Sequence, residues 1–266
     1  MRVRFIFQLT NRGGYVPFHH QYLLAQVIRG VLVKGGNREF LNTTEYNFSG
    51  LKGQTKISRK GLHYYSSRVT LVLASGYPGF IEYFTASLFA QKELVIGNLH
   101  LIPEKTEDES APILNGVGKY LCLSPLVLLP GAFNEESGKR FVAPLQEEFS
   151  DLLYENTIAR MNASGRYTEE ELSGYFKFQV VPDAAYLQRL ETGGKKFSRI
   201  YPMFDSDIRY EVRGYTFPFT LYAPPAVHKY IFENGLGQCT HKGFGMLDLS
   251  GASPVPQNST QEMQYA

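Results

Sequence analysis

Apolar and polar residues alternate from the start of the chain. Val3, Phe5, Phe7 and Leu9 fall on one face of MRVRFIFQL, with Arg2, Arg4 and Gln8 on the other, the period of a half-buried strand. Pro17 then opens a helix expected over about 18–34, where Leu24, Val27, Ile28 and Val31 form an apolar stripe at helical spacing and Gly35-Gly36 end it. A short helical turn near 39–42 precedes strand-like sequence from Tyr46 to Leu73, broken by glycines. A helix over about 78–90 carries Phe80, Ile81, Phe84, Leu88 and Phe89, and a strand over 94–102 closes this half.

Residues 103–118 turn acidic and turn-forming, which suits a linker. The pattern then restarts. A strand is expected over 119–129, and a helix from Pro144 to about Met161 with Leu145, Phe149, Leu152 and Leu153 on one side. Strands follow at 175–181, around 197–203 and at 208–222. A short helix over about 225–234 leads to the run GLGQCTHKGFG (235–245), and a strand at 244–249 ends the pattern. The order strand, helix, strands, helix, strand occurs twice. The expected fold is therefore α+β, two tandem ferredoxin-like (RRM-like) modules, each an antiparallel sheet with helices on one face. The expected divisions are 1–105, a linker at 106–118, 119–250, and a loose tail at 251–266.

Composition narrows the function. Among 266 residues, 43% are hydrophobic and 20% charged, which describes a globular chain. Aromatic content reaches 14%, with 19 Phe and 18 Tyr, and exposed rings serve single-stranded nucleic acid as stacking platforms. A net charge of +2 excludes a globally basic binder, so an anion site must be a local patch. Cys122 and Cys239 offer neither a disulfide framework nor zinc spacing, and no other metal-ligand cluster is evident. No metal or cofactor is expected. With no signal peptide and no apolar run of membrane length, the expected location is cytoplasmic, away from membranes.

The glycine run is the main candidate for binding. Gly235, Gly237, Gly243 and Gly245 permit positive φ, and successive amides in such turns can cradle phosphate oxygens, with His241 and Lys242 adding a donor and a charge. A glycine-rich bulge that only shapes the backbone explains the same residues. A dinucleotide fingerprint needs the reverse order of strand and helix, and a phosphate-binding GKS or GKT is absent. A second basic cluster, KKFSR, holds Lys195, Lys196 and Arg199 before a strand, where it suits phosphate contacts or a solvated loop.

GLGQCTHKGFGMLDL resembles the C-terminal glycine-rich signature of the RAMP superfamily of CRISPR-associated proteins, in particular the endoribonucleases that process CRISPR precursor RNA. VPFHHQYLLAQVI (16–28) resembles that family's first helix, and YLCLSPLVL (120–128) the opening strand of its second module. The resemblance implies a protein that binds CRISPR repeat RNA and cuts it without metal. The 2′-hydroxyl attacks the adjacent phosphate, leaving a cyclic phosphate and a 5′-hydroxyl. Other CRISPR effector subunits and a second copy of the chain are further partners compatible with it. A non-catalytic member holding guide RNA is the alternative, and a small-molecule or regulatory ferredoxin-like protein a third.

That reaction needs a base, an acid and a cation. The family's pattern of a tyrosine late in the first helix, a histidine just after it and a nearby lysine meets Arg29 at the tyrosine position and Asn42 at the histidine position. Lys52 or Lys56 is available for the lysine. Asparagine cannot exchange a proton near neutral pH. Substitutes are His19 and His20 at the start of the first helix, and His63 in a basic stretch with Lys52, Lys56, Arg59 and Lys60. The more ordinary reading of each is a capping, packing or solvent-facing residue. His100 in a strand and His228 in a helix read as structural.

Overall fold

The computed structural model describes residues 1–110, 112–113, 115–129, 142–194, 196–205 and 208–250. The first half runs β1 (Arg2–Leu9), β2 (Tyr15–Val16), α1 (Gln21–Gly35), α2 (Arg38–Leu41), β3 (Tyr46–Phe48), β4 (Thr55–Ser58), β5 (Gly61–Tyr64), β6 (Arg68–Ser75), α3 (Pro78–Phe89), β7 (Leu94–Ile96) and β8 (Leu99–Asp108). The second runs β9 (Val117–Cys122), β10 (Leu126–Val127), α4 (Glu148–Ala163), α5 (Glu169–Ser173), β11 (Gln179–Pro182), α6 (Ala184–Thr192), β12 (Ser198–Asp205), β13 (Ile208–Tyr215), β14 (Phe219–Tyr222), α7 (Pro225–Asn234), a 3-10 turn at Thr240–Lys242 and β15 (Leu247–Leu249).

The two main sheets are antiparallel, ordered β3-β6-β1-β8-β7 and β11-β14-β9-β15. With β7 set aside, each has its second, third, first and fourth strands side by side, with helices after the first and third. That is the ferredoxin-like order, twice. The alternation in β1 explains the first core: Val3, Phe5 and Phe7 are buried against Leu24, Ile28 and Val31 of α1 and Phe80, Phe84 and Leu88 of α3. Gly36, at φ 77°, ends α1 by donating its amide to Leu32 and Val33. A separate core gathers Tyr120, Phe149, Leu153, Phe219, Leu221 and Ile231 in the second half.

Two insertions decorate this frame. β2, β5 and β4 form a small sheet in the first half; β10, β13 and β12 form another in the second. The second includes the long β12–β13 hairpin, placed between β11 and β14.

Several expectations change. Residues 103–108, read as part of a linker, continue β8 and pair with β1, because Thr106 and Asp108 extend the ladder regardless of charge. The helix expected from Pro144 begins at Glu148, and Leu145 is 59% exposed. Phe89 likewise lies on the open side of α3. The run at 175–181 is strand only from Gln179, and 208–222 is two strands broken at Thr216–Pro218. Two helices escaped the strand-based reading, α5 and α6. The tail at 251–266 lies outside the described residues. Among those described, no helix is long and apolar enough to cross a membrane.

The halves are joined by polar contacts. Arg2, on the polar face of β1, is buried, donating to Glu109 at 2.6 Å and to the Leu247 carbonyl at 2.6 Å, with its guanidinium 4.5 Å from the Phe232 ring centre. Arg4, two residues on, pairs with Glu109 and Glu107. Asn47 donates to the Glu233 carbonyl at 2.7 Å, and Asn234 accepts from the Gly76 amide at 3.1 Å.

Candidate nucleic-acid interface

The glycine run is a joint between the halves. The amides of Gly235, Leu236, Gln238, Lys242, Gly243 and Gly245 all donate to carbonyls of the protein. Of the four expected nest glycines, Gly235, Gly243 and Gly245 therefore have their amides engaged within the protein. Small size matters as well. At Gly243 (φ +92°) a Cβ would lie 2.7 Å from the Phe48 ring and 3.2 Å from Gln21, so only glycine lets the loop close on β3 and α1. Arg160 of α4 holds the carbonyl side, donating to Asn234 (2.7 Å), Gly235 (3.0 Å), Gly237 (2.9 Å) and the Thr240 hydroxyl (3.2 Å).

The joint presents His241 and Lys242, both half-buried, at its crest. The His241 ring lies edge-on to Tyr46 at 6.3 Å, and Lys242 Nζ reaches the Tyr210 hydroxyl of β13 at 3.3 Å. Phe244 packs edge-on to Tyr201 of β12 at 5.3 Å, and the His19 ring meets the same Tyr201 at 4.8 Å. The start of α1, the glycine joint and the β12–β13 hairpin thus converge, although they are far apart in sequence.

Between the start of α1 and the β12–β13 hairpin lies an open cleft of about 610 Å³, lined by Phe18, His19, Lys196, Arg199, Ile200 and Arg213 with Ser198. His19 Nδ1 is buried with no hydrogen-bond partner in the protein. Burial, and secondarily the Arg199 charge, holds this imidazole below its usual pKa, so it is neutral near pH 7 and able to accept a proton. Cations and one neutral imidazole around a concave surface suit a phosphodiester.

The other sequence candidates are dispersed. His20 is buried, with Nδ1 at 3.1 Å from the Pro17 carbonyl and its pKa lowered by burial. His63 has both nitrogens engaged, Nδ1 with the Gly13 carbonyl (2.9 Å) and Nε2 with Ser58 Oγ (2.8 Å). Arg29 is exposed on α1 and acts electrostatically on Tyr46, whose pKa burial pushes up to about 12. Asn42 is the exposed C-cap of α2. Lys52 bridges to Thr70 through its backbone, and burial lowers its pKa against the opposing pull of Asp248. Lys195 lies outside the described residues. His100 faces Glu93 at 3.0 Å, and His228 is buried against Tyr120.

Sequence reasoning missed Arg160, Tyr201, Tyr210 and Arg213. Tyr201 had a signal, since it alternates with Arg199 on β12; Arg160 had none, being one more charge on an amphipathic helix. Among the described residues, no group of three or more His, Cys, Asp or Glu is placed to hold a metal ion.

Tandem ferredoxin-like modules meeting at a glycine-rich joint beside a basic cleft are the arrangement that the resemblance to the RAMP class of CRISPR-associated proteins implied. A family model described as CRISPR associated protein Cas6, C-terminal, matches residues 108–249, more than half of the chain, which therefore belongs to that family. The chain is 23% identical over 256 residues to CRISPR-associated endoribonuclease Cas6 1 of Methanocaldococcus jannaschii, covering 93% of this chain and 92% of that one. Among solved structures, a Cas6-related protein from Pyrococcus furiosus superposes with a TM-score of 0.77 at 21% identity, over 95% of this chain and 99% of its own. A RAMP protein described as binding different RNA substrates gives 0.74 at 20% identity, over 94% and 99%. The two structural likenesses support the fold.

Proposed function

We propose that this protein processes CRISPR precursor RNA, binding repeat RNA across the His19 cleft and cutting it by attack of a 2′-hydroxyl on the adjacent phosphate. The new bond joins O2′ to phosphorus and the P–O5′ bond breaks. The products are a 2′,3′-cyclic phosphate and a 5′-hydroxyl. His19 accepts the 2′-hydroxyl proton, and Lys196 and Arg199 with Arg213 offset the charge gathering on the phosphorane. The leaving 5′ oxygen takes up a proton from solvent. A cationic cleft disfavours a divalent ion, which suits a reaction driven by protein groups alone. The two modules, the first running through β8 to Asp108 and the second opening at β9, grip the RNA as one body in this reading.

The observation that carries the proposal is His19 itself: an imidazole whose pKa burial lowers, lining a cleft among cations from the other half of the chain. The family of the chain and the name of its Methanocaldococcus jannaschii relative support the endoribonuclease class. Incubating the protein with its cognate repeat RNA in EDTA tests it. Cleavage at one position is the expected result. Tight binding with no cleavage is the result expected of a guide-RNA holder, the reading that Asn42 at the family's histidine position favours.

A further inference from the structure

The β4–β5 hairpin is a charged surface that the cleft does not use. From Tyr46 through Ile81 the sequence contains no Asp or Glu, yet it holds Lys52, Lys56, Arg59, Lys60 and Arg68. In a chain with net charge +2, this is strong segregation. Lys56, Arg59 and Lys60 are exposed, and none forms an ion pair among the described residues. Arg68, by contrast, is paired with Glu104.

The hairpin's position gives those charges a purpose. β5 pairs with β2, Val16 opposite Leu62 and Tyr15 opposite His63. At Gly61, where the hairpin turns, a Cβ would collide with the Val16 carbonyl and approach Pro17. The Arg59-Lys60 turn is therefore held beside Pro17, two residues before His19 and next to Phe18 of the cleft. Ser58 Oγ fixes the turn by accepting from the Lys60 amide at 3.0 Å. Further along, Lys56 Nζ lies 5.1 Å from the centre of the Tyr65 ring, which is 44% exposed. Clustered cations beside an exposed ring suit a nucleic-acid strand, since phosphates meet the charges and a base can stack on the ring.

We propose that the β4–β5 hairpin is a second RNA-binding site, contacting the phosphates of the RNA segment that leaves the His19 cleft, through Lys56, Arg59 and Lys60. This rests on the RNA-processing reading and extends its track from one face of α1 to the small sheet of the first half. The contact is with the backbone, so it adds affinity without base selectivity.

The test is the salt dependence of repeat-RNA binding by the intact protein. The triple variant Lys56→Gln, Arg59→Gln, Lys60→Gln is compared with a control of equal charge change elsewhere, Lys34→Gln, Lys92→Gln, Lys229→Gln. Each single-stranded phosphate contact contributes about −0.7 to the slope of log K against log salt. The hairpin variant is expected to flatten the slope by about 2, and Lys60→Gln alone by about 0.7, while the control keeps the wild-type slope. Thermal unfolding of each variant checks folding. A hairpin variant with the control's slope and affinity overturns the proposal. So does an unchanged RNA slope with lost binding to phosphatidylserine vesicles, which would assign the hairpin and its exposed Ile57 to a membrane surface. Wild-type protein whose RNA affinity ignores salt would overturn the RNA-processing reading, and this proposal with it.

Discussion

Arg160 donates from Nη1 to the carbonyl of Gly237 at 2.9 Å, and its other contacts reach Asn234, Gly235 and Thr240. One guanidinium on α4 thereby satisfies the carbonyls that the tight loop would otherwise leave unpaired. A hydrogen bond to a charged donor contributes about 1.5–3 kcal/mol net, and the four share one side chain. Arg160→Ala is expected to cost about 3 kcal/mol, read as a lower denaturant midpoint. Arg160→Lys should recover only part of it, because an ammonium cannot reproduce the planar fork. Equal midpoints for Arg160→Ala and wild type would contradict this role.

Gly243 separates the two meanings of the glycine run. Its positive φ and the Phe48 ring 2.7 Å from a would-be Cβ make Gly243→Ala strained, by about 1–3 kcal/mol. The expected outcome is a lower Tm. A variant with intact Tm and weakened RNA binding would instead support the phosphate-nest reading.

Removing the base at His19 is expected to slow single-turnover cleavage by about 10²–10⁴-fold, with RNA affinity changed much less. The pH profile gives an independent check. Because the imidazole is held below its usual value, activity should persist at neutral pH and fall on acidification through that lowered pKa. Arg199→Gln removes a positive charge that lowers it, so the acid limb should move to higher pH. An acid limb unmoved in Arg199→Gln would place the titrating group elsewhere.

Buried His20 and His228 link stability to acid. Burial lowers both pKa values in the folded protein, so the unfolded chain binds protons first as pH falls. Stability from these groups is whole above the free imidazole value of about 6.5 and declines as pH drops towards the lower folded values. Urea midpoints measured from pH 7.5 to 5 should decrease. His228→Gln should decrease less over the same range; a slope identical to wild type would remove His228 from the account.

Much of the frame was legible because its signals are local. The alternation of β1, the stripe of α1 and the ends at Gly36 and Pro78 need only neighbouring residues, and element order then implied the doubled ferredoxin-like plan. α5 carried a signal as well: Thr168 and Glu171 make a capping box, and Asp183 caps α6. Both helices were missed because aromatic runs nearby favoured strands. The convergence at the cleft was not legible. His19, Tyr201 and Phe244 meet only after two modules fold and dock, and no spacing in the chain encodes that. The role of the glycine run was not legible for a related reason, since glycines that shape a backbone and glycines that cradle phosphate look alike until the amide partners are known.

The central claim is that the RNA's own 2′-hydroxyl is the nucleophile, activated by protein groups. The most direct measurement compares cognate repeat RNA with the same RNA carrying a single 2′-deoxynucleotide at the cut, both in EDTA with excess protein. The account predicts that the first is cut to a cyclic phosphate and a 5′-hydroxyl, while the second is bound with similar affinity and stays whole. Cleavage of the deoxy-substituted RNA at that position, or loss of all cleavage in EDTA with recovery on adding a divalent ion, would contradict it.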